Sequence, residues 1–208
     1  MIRVRRVRVR DTRQDRRARS LLVKAGAVLL GVGLGGFVDG ILLHQILQWH
    51  HMLSHVETTQ TVAGLEVNTL ADGAFHAAAW VAVVVAVGLL LTAWRRGARS
   101  PGWVAFLGLV LIGWGGFNLV EGVIDHHLLG LHHVRDDLGG PLAWDLGFLA
   151  VAALQIVIGI WMHRWQSRRE YVVIDDGHHP VRTTAVARSN GTSASSPWQS
   201  DRSLPASG

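Results

Sequence analysis

The chain has 208 residues, 49% of them hydrophobic, with a formal net charge of +5 and no cysteine. Its positive mean hydropathy leaves too few polar residues for a soluble domain of this pattern, and the lack of cysteine excludes disulfides, thiolate metal sites, iron–sulfur clusters and covalently attached c-type haem. The positive charge sits mainly on arginines in the tails, so it describes the ends of the chain and not its core.

Residues 1–20 form a basic arm, with Val and Arg alternating for part of its length. No core pattern supports a strand there. The expectation is a disordered arm whose Arg16, Arg17 and Arg19 meet anionic lipid heads, at roughly 1 kcal/mol per charge. No aromatic or fold signature points to nucleic acid. Four apolar segments follow, at about 21–48, 71–94, 103–125 and 143–165. Each holds the roughly 20 residues needed to cross a ~30 Å hydrocarbon layer as a helix. Only closed hydrogen-bonding structures survive in that layer, and these segments are too long and too apolar for barrel strands. The first apolar stretch is too long for a signal peptide and continues into polar sequence, so it reads as an uncleaved helix. Residues 166–208 are rich in Ser, Thr, Gly, Arg and Pro and read as a disordered tail.

Arginine placement sets an expected orientation. Residues 1–24 carry nine Arg and one Lys, the middle loop reads RRGARS, and the fourth helix ends in HRWQSRRE. The other two loops hold only Arg135 between them. The positive-inside rule then puts both termini in the cytoplasm of a multi-pass protein of the inner (cytoplasmic) membrane.

Within this frame the chain repeats itself. Residues 35–52 read GGFVDGILLHQILQWHHM, and residues 115–134 read GGFNLVEGVIDHHLLGLHHV. With a two-residue insertion after Phe117, Asp39 matches Glu121, His44 matches His126, and His50 and His51 match His132 and His133. The second helices echo each other as well, in Asp72-Gly-Ala-Phe75 and Asp145-Leu-Gly-Phe148. The expected fold is an all-α membrane four-helix bundle made of two pseudo-repeated helical hairpins. Glycines ahead of both copies are spaced to let helices approach closely.

Placed by depth, the carboxylates of all four helices fall in one layer near the outer interface. An ionisable group inside a membrane helix costs roughly 2.5–3.5 kcal/mol on insertion scales. A bound cation or shared proton offsets that cost, and carboxylates with neutral imidazoles suit iron, zinc, manganese or oxidised copper. On an α-helical wheel, Glu121, Asp125 and His132 line one face, and His126 and His133 another. Asp39 and His50 lie eleven residues apart, about 16 Å along a straight helix. Two sites at different depths would answer this, or a chain that turns back around Gln48 and after Gly130. The expected metal ligands are Asp39, His44, Asp72, His76, Glu121, Asp125 and His126, with His50, His51, His127, His132 and His133 as a rim. Asp72 and Asp145 are also placed to cap helix N-termini. His55 and His163 read as solvated or hydrogen-bonded groups.

The two motifs resemble those of a family of small predicted bacterial membrane proteins of unknown function. The resemblance covers about residues 25–165 and implies four membrane helices; members look similar to proteins that accompany oxidase-assembly and copper-handling genes. Two functions of different class follow. One is a metal-dependent membrane enzyme; the other is a non-catalytic metal-handling or oxidase-assembly protein. The lack of Cys and of Met clusters argues against a soft Cu(I) chaperone. A weaker alternative is b-type haem held between His44 and His126.

Overall fold

A computed structural model describes residues 12–175, with side chains described through residue 168. The first eleven residues of the basic arm, and the tail beyond 175 with His178 and His179, lie outside the described residues. Every regular element among the described residues is helical. Helix α1 runs Arg13–Val38 and passes without a break into a π-helical segment, Asp39–Ile46. Helix α2 is Val62–Arg95. Helix α3, Trp103–Glu121, passes into a second π-helical segment, Gly122–Leu128. A 3-10 turn at Asp136–Leu138 precedes α4, Leu142–Asp175.

Three helix ends fall well outside the apolar stretches, and hydrogen bonding, not hydropathy, sets two of them. Helix α1 starts at Arg13 because Thr12 and Asp15 form a capping box. The Thr12 hydroxyl accepts from the Asp15 N–H at 3.1 Å, and the Thr12 N–H donates to Asp15 Oδ2 at 3.1 Å. Residues 13–20, expected in a disordered arm, therefore form the first turns of a helix. Helix α2 starts at Val62, where the Thr61 hydroxyl accepts from the Gly64 N–H at 3.1 Å. Its first turns look polar in sequence because Asn68 serves the connecting loop. The buried Asn68 amide accepts from the Leu53 N–H and donates to the carbonyls of Glu57 and Gly64. Helix α4 continues to Asp175, ten residues past the expected end at 165.

The helices stand side by side in the order α2, α1, α3, α4, with α1 and α3 in the middle. Among the described residues the outer helices do not touch each other. All four are long and apolar enough to cross a membrane, over Arg13–Ile46, Val62–Arg95, Trp103–Leu128 and Leu142–Arg168. The most apolar windows of α2 and α4 are only 17% and 11% buried, so their outward surfaces require an apolar solvent.

Glycine holds the middle together, in a pattern that reveals the internal symmetry. A Cβ on Gly31 would strike the carbonyl oxygen of Val110, and a Cβ on Gly113 would strike that of Val28. Each residue of the second contact lies 82 positions from its counterpart in the first. Gly33 faces Ala79 and Val83, and Gly115 faces Ala152 and Ile156. Gly26 faces Ala86 and Leu90, and Gly108 faces Gly159 and His163. Gly40 and Gly122 abut Phe75 and Phe148 in the same way. Helices α1 and α3 are thus related by a constant offset of 82, and α2 and α4 by one of 73.

This corrects the alignment of the two sequence motifs. The GGF triplets lead to an 80-residue register and a two-residue insertion after Phe117. In space Gly33 corresponds to Gly115 and Gly35 to Phe117, and no insertion is needed. The matching letters mislead because the glycine spacing that packs a helix recurs within each helix.

Candidate metal centre

The π-helical segments create the site. In a π-helix the hydrogen bond closes at i+5 instead of i+4, and such turns concentrate at functional sites. The Leu47 N–H donates to the Leu42 carbonyl at 2.8 Å, and the Leu129 N–H donates to the Ile124 carbonyl at 2.8 Å. Asp39 and His44 are five residues apart, as are Glu121 and His126. An α-helical wheel sends the members of each pair to different faces; the wider winding stacks them on one. His44 Nε2 lies 3.4 Å from Asp39 Oδ2, and His126 Nε2 lies 3.1 Å from Glu121 Oε1.

The chain then reverses. Gln48 and Gly130, again 82 apart, take φ values of 51° and 57°. In this left-handed region glycine is at ease and Gln48 is strained. The reversal carries His50 and His132 back into the bundle, where they are 2% and 0% exposed. Both were expected on a rim; both sit at the centre. Their rings stack across the pseudo-two-fold axis, with centroids 4.6 Å apart and planes 5° from parallel. His44 packs edge-on against His50 at 4.6 Å, and His126 against His132 at 4.8 Å.

The two halves are tied together reciprocally. His50 Nδ1–H donates to the Val134 carbonyl at 3.0 Å, and His132 Nδ1–H donates to the Met52 carbonyl at 3.1 Å. The His55 N–H donates to the Leu131 carbonyl, and the Asp137 N–H donates to the Trp49 carbonyl. A carbonyl only accepts, so Nδ1 carries the proton in both buried rings and Nε2 keeps a lone pair. Burial holds the His50 imidazole well below its usual pKa, helped by His132 and His44 nearby, although the bond to Val134 opposes the shift. A neutral imidazole is the form that binds metal.

Asp72 and Asp145 form the next layer out. Both are buried, and their carboxylates cap no helix. Asp72 Oδ1 faces His44 Nδ1 at 2.8 Å and accepts from the Met52 N–H at 2.9 Å, while Oδ2 faces His51 Nδ1 at 2.7 Å. Asp145 repeats this with His126 Nδ1 at 3.4 Å, the Val134 N–H at 2.9 Å and His133 Nδ1 at 2.8 Å. By sequence Asp145 stands at a helix start, as a cap would; its echo of Asp72 is the sign of a larger part. A carboxylate on the far nitrogen of a ligating histidine fixes the tautomer, and losing it typically costs 10–100-fold in metal affinity. Asp72→Asn is expected to weaken metal binding by about that factor, measured by competition with a chromogenic chelator.

The remaining expected residues lie elsewhere. The His76 ring is bonded at Nδ1 to the Asp72 backbone carbonyl at 2.7 Å and covers Gly40. Asp125 is half-buried beside the cluster, and His127 is exposed. His51 and His133 support the carboxylates Asp72 and Asp145. Arg16 and Arg17 are exposed, and Arg19 half-buried, on the first turns of α1 at the opposite end of the helices. At the site's own end, the Arg135 guanidinium lies 4.4 Å from the Trp49 ring centre and 5.0 Å from that of Trp144. It bonds both Asp137 oxygens at 2.8 Å, which holds that carboxyl below the usual carboxylate range.

Among the described residues, two sets of buried donor atoms are close enough to share an ion: His44, His50 and His132, and Glu121, His126 and His132. His44 Nε2, His50 Nε2 and Glu121 Oε2 are buried with no hydrogen-bond partner. Orphaned buried donors and acceptors are rare and costly. His132 adds a further tension. Its Nδ1 already holds the proton, yet its Nε2 lies 3.0 Å from Glu121 Oε1. A lone pair facing a carboxylate repels it, unless a proton or a cation lies between them.

The chain belongs to a family of predicted membrane proteins (DUF2243), whose profile matches residues 26–166. No curated protein and no solved structure matches the chain.

Proposed function

We propose that this four-span member of the family is a membrane metalloprotein that holds a divalent first-row transition ion among His44, His50, His126, His132, Glu121 and Asp39. The observation that carries the reading is the fixed tautomer. The Nδ1 atoms of His44, His50 and His132 are taken by a carboxylate or a carbonyl, which leaves Nε2 lone pairs buried beside two carboxylates. Nitrogen and oxygen donors suit iron, zinc, manganese or oxidised copper.

Glu121, His126 and His132 make a two-histidine, one-carboxylate triad. Such a triad leaves coordination positions open, as in catalytic sites rather than closed structural ones. Supporting bonds from Asp72, Asp145 and the crossed carbonyls favour a resident ion over one in transit. We therefore favour a metal-dependent membrane enzyme over a carrier or assembly factor. The close imidazole packing argues against haem, since a porphyrin plate has to part rings only 4.6 Å from one another. The arginines of the first turns of α1 and of residues 95–100 mark the opposite end of the helices. By the positive-inside rule the site faces the outer side of the cytoplasmic membrane, and Arg16, Arg17 and Arg19 meet lipid heads on the inner side.

Metal analysis of the detergent-purified protein by mass spectrometry, together with its visible spectrum, tests this. The expected result is stoichiometric iron, zinc, manganese or copper that survives brief chelation, with no Soret band. Loosely held metal would favour the carrier. Metal-free protein, with Asp39→Ala and Glu121→Ala variants that fold normally, would overturn the metal reading.

A further inference from the structure

We infer that the centre is built for two divalent ions, one for each half of the chain; this rests on the metal reading above. Asp39, Asp72, Glu121 and Asp145 are 5%, 1%, 6% and 0% exposed and lie within one layer. Among the described residues their ion-pair partners are all histidines, with no Lys or Arg. Four carboxylates lie in this buried layer, and their ion-pair partners there are imidazoles, which carry charge only when protonated. Buried charges need compensation. Protons on the imidazoles or metal ions can supply it, and one divalent ion in each half balances all four carboxylates.

The ligands themselves number enough for two ions. The two donor sets overlap at His132. A neutral imidazole whose Nδ1 holds a proton has a single lone pair, so His132 serves one ion only. Once Glu121, His126 and His132 hold an ion, His44 and His50 remain with buried, unpartnered Nε2 atoms, and Asp39 Oδ2 lies 3.4 Å from His44. That remainder is the symmetry mate of the first triad, position for position at the offset of 82. It is again two histidines and one carboxylate, the ligand type of open-sided iron sites. Paired metal ions are a recurrent device for gripping two reacting oxygens at once.

The halves are unequal. Glu121 Oε1 reaches both His126 and His132, at 3.1 and 3.0 Å. Asp39, one methylene shorter, meets only His44. The ion on the Glu121 side is the tighter one.

Zinc is the probe. The full-length protein in detergent, stripped and reloaded, is weighed by native mass spectrometry and assayed for zinc per chain. Two zinc ions are expected, the second lost first as free zinc is lowered. Asp39→Asn and Glu121→Gln should each retain one. A single ion in the wild-type protein, removed by either substitution, overturns the pair but leaves the one-ion centre intact. No zinc at any concentration overturns both. The wild-type stoichiometry decides the matter even if a variant fails to fold.

Discussion

Gly31→Ala and Gly113→Ala are each expected to lower the thermal unfolding temperature of the detergent-solubilised protein sharply, and the double substitution to abolish the folded domain. The added methyl groups would collide with the carbonyl oxygens of Val110 and Val28. Those oxygens belong to helix backbone, so no side-chain rotation relieves the clash. Overpacking typically costs about 1–3 kcal/mol, and these substitutions belong at or above the top of that range. Gly73 and Gly88 are the controls, since nothing lies within 4 Å of a Cβ at either position. There alanine gains helix propensity and should be neutral or stabilising by up to about 1 kcal/mol. If all four substitutions behave alike, the close approach of α1 and α3 is wrong.

His132→Ala is expected to remove the tighter ion from the centre. This one ring is a member of both donor sets, stacks on His50, and joins the halves through the Met52 carbonyl. Loss of affinity should exceed the roughly 10–100-fold of a supporting residue. Leaving a buried carbonyl without its donor costs a further ~1–3 kcal/mol of stability. His127→Ala, at an exposed position, should bind metal like the wild type. Zinc competition and thermal unfolding, read on the same samples, separate the two effects. Unchanged affinity in His132→Ala would place the ion elsewhere.

The spans, the hairpin duplication and the layer of carboxylates are legible in the sequence, because apolar length and the cost of buried charge are local, additive properties. Asp39, His44, Glu121 and His126 stand out for the same reason. Their mutual geometry does not, since a wheel drawn at 100° per residue presumes α winding and separates Glu121 from His126. The five-residue spacing in both copies was the available sign. His50 and His132 fall beyond the straight-helix reach of Asp39 and Glu121. Only a reversal brings them back, and Gly130 marks one while Gln48 disguises the other. His76 and Asp125 illustrate the opposite error. Each sits one turn from a carboxylate, yet His76 spends its Nδ1 on its own helix, and Asp125 stays beside the cluster.

The crossed contact of Gly31 with Val110 and Gly113 with Val28 has the form of an isologous interface, the kind made by two identical subunits about a two-fold axis. In a true homodimer any substitution appears twice, so both carboxylates at such a centre must be the same residue. Joining the copies in one polypeptide lifts that restriction. Asp39 and Glu121 can differ, and one side of a symmetric cradle can grip harder than the other.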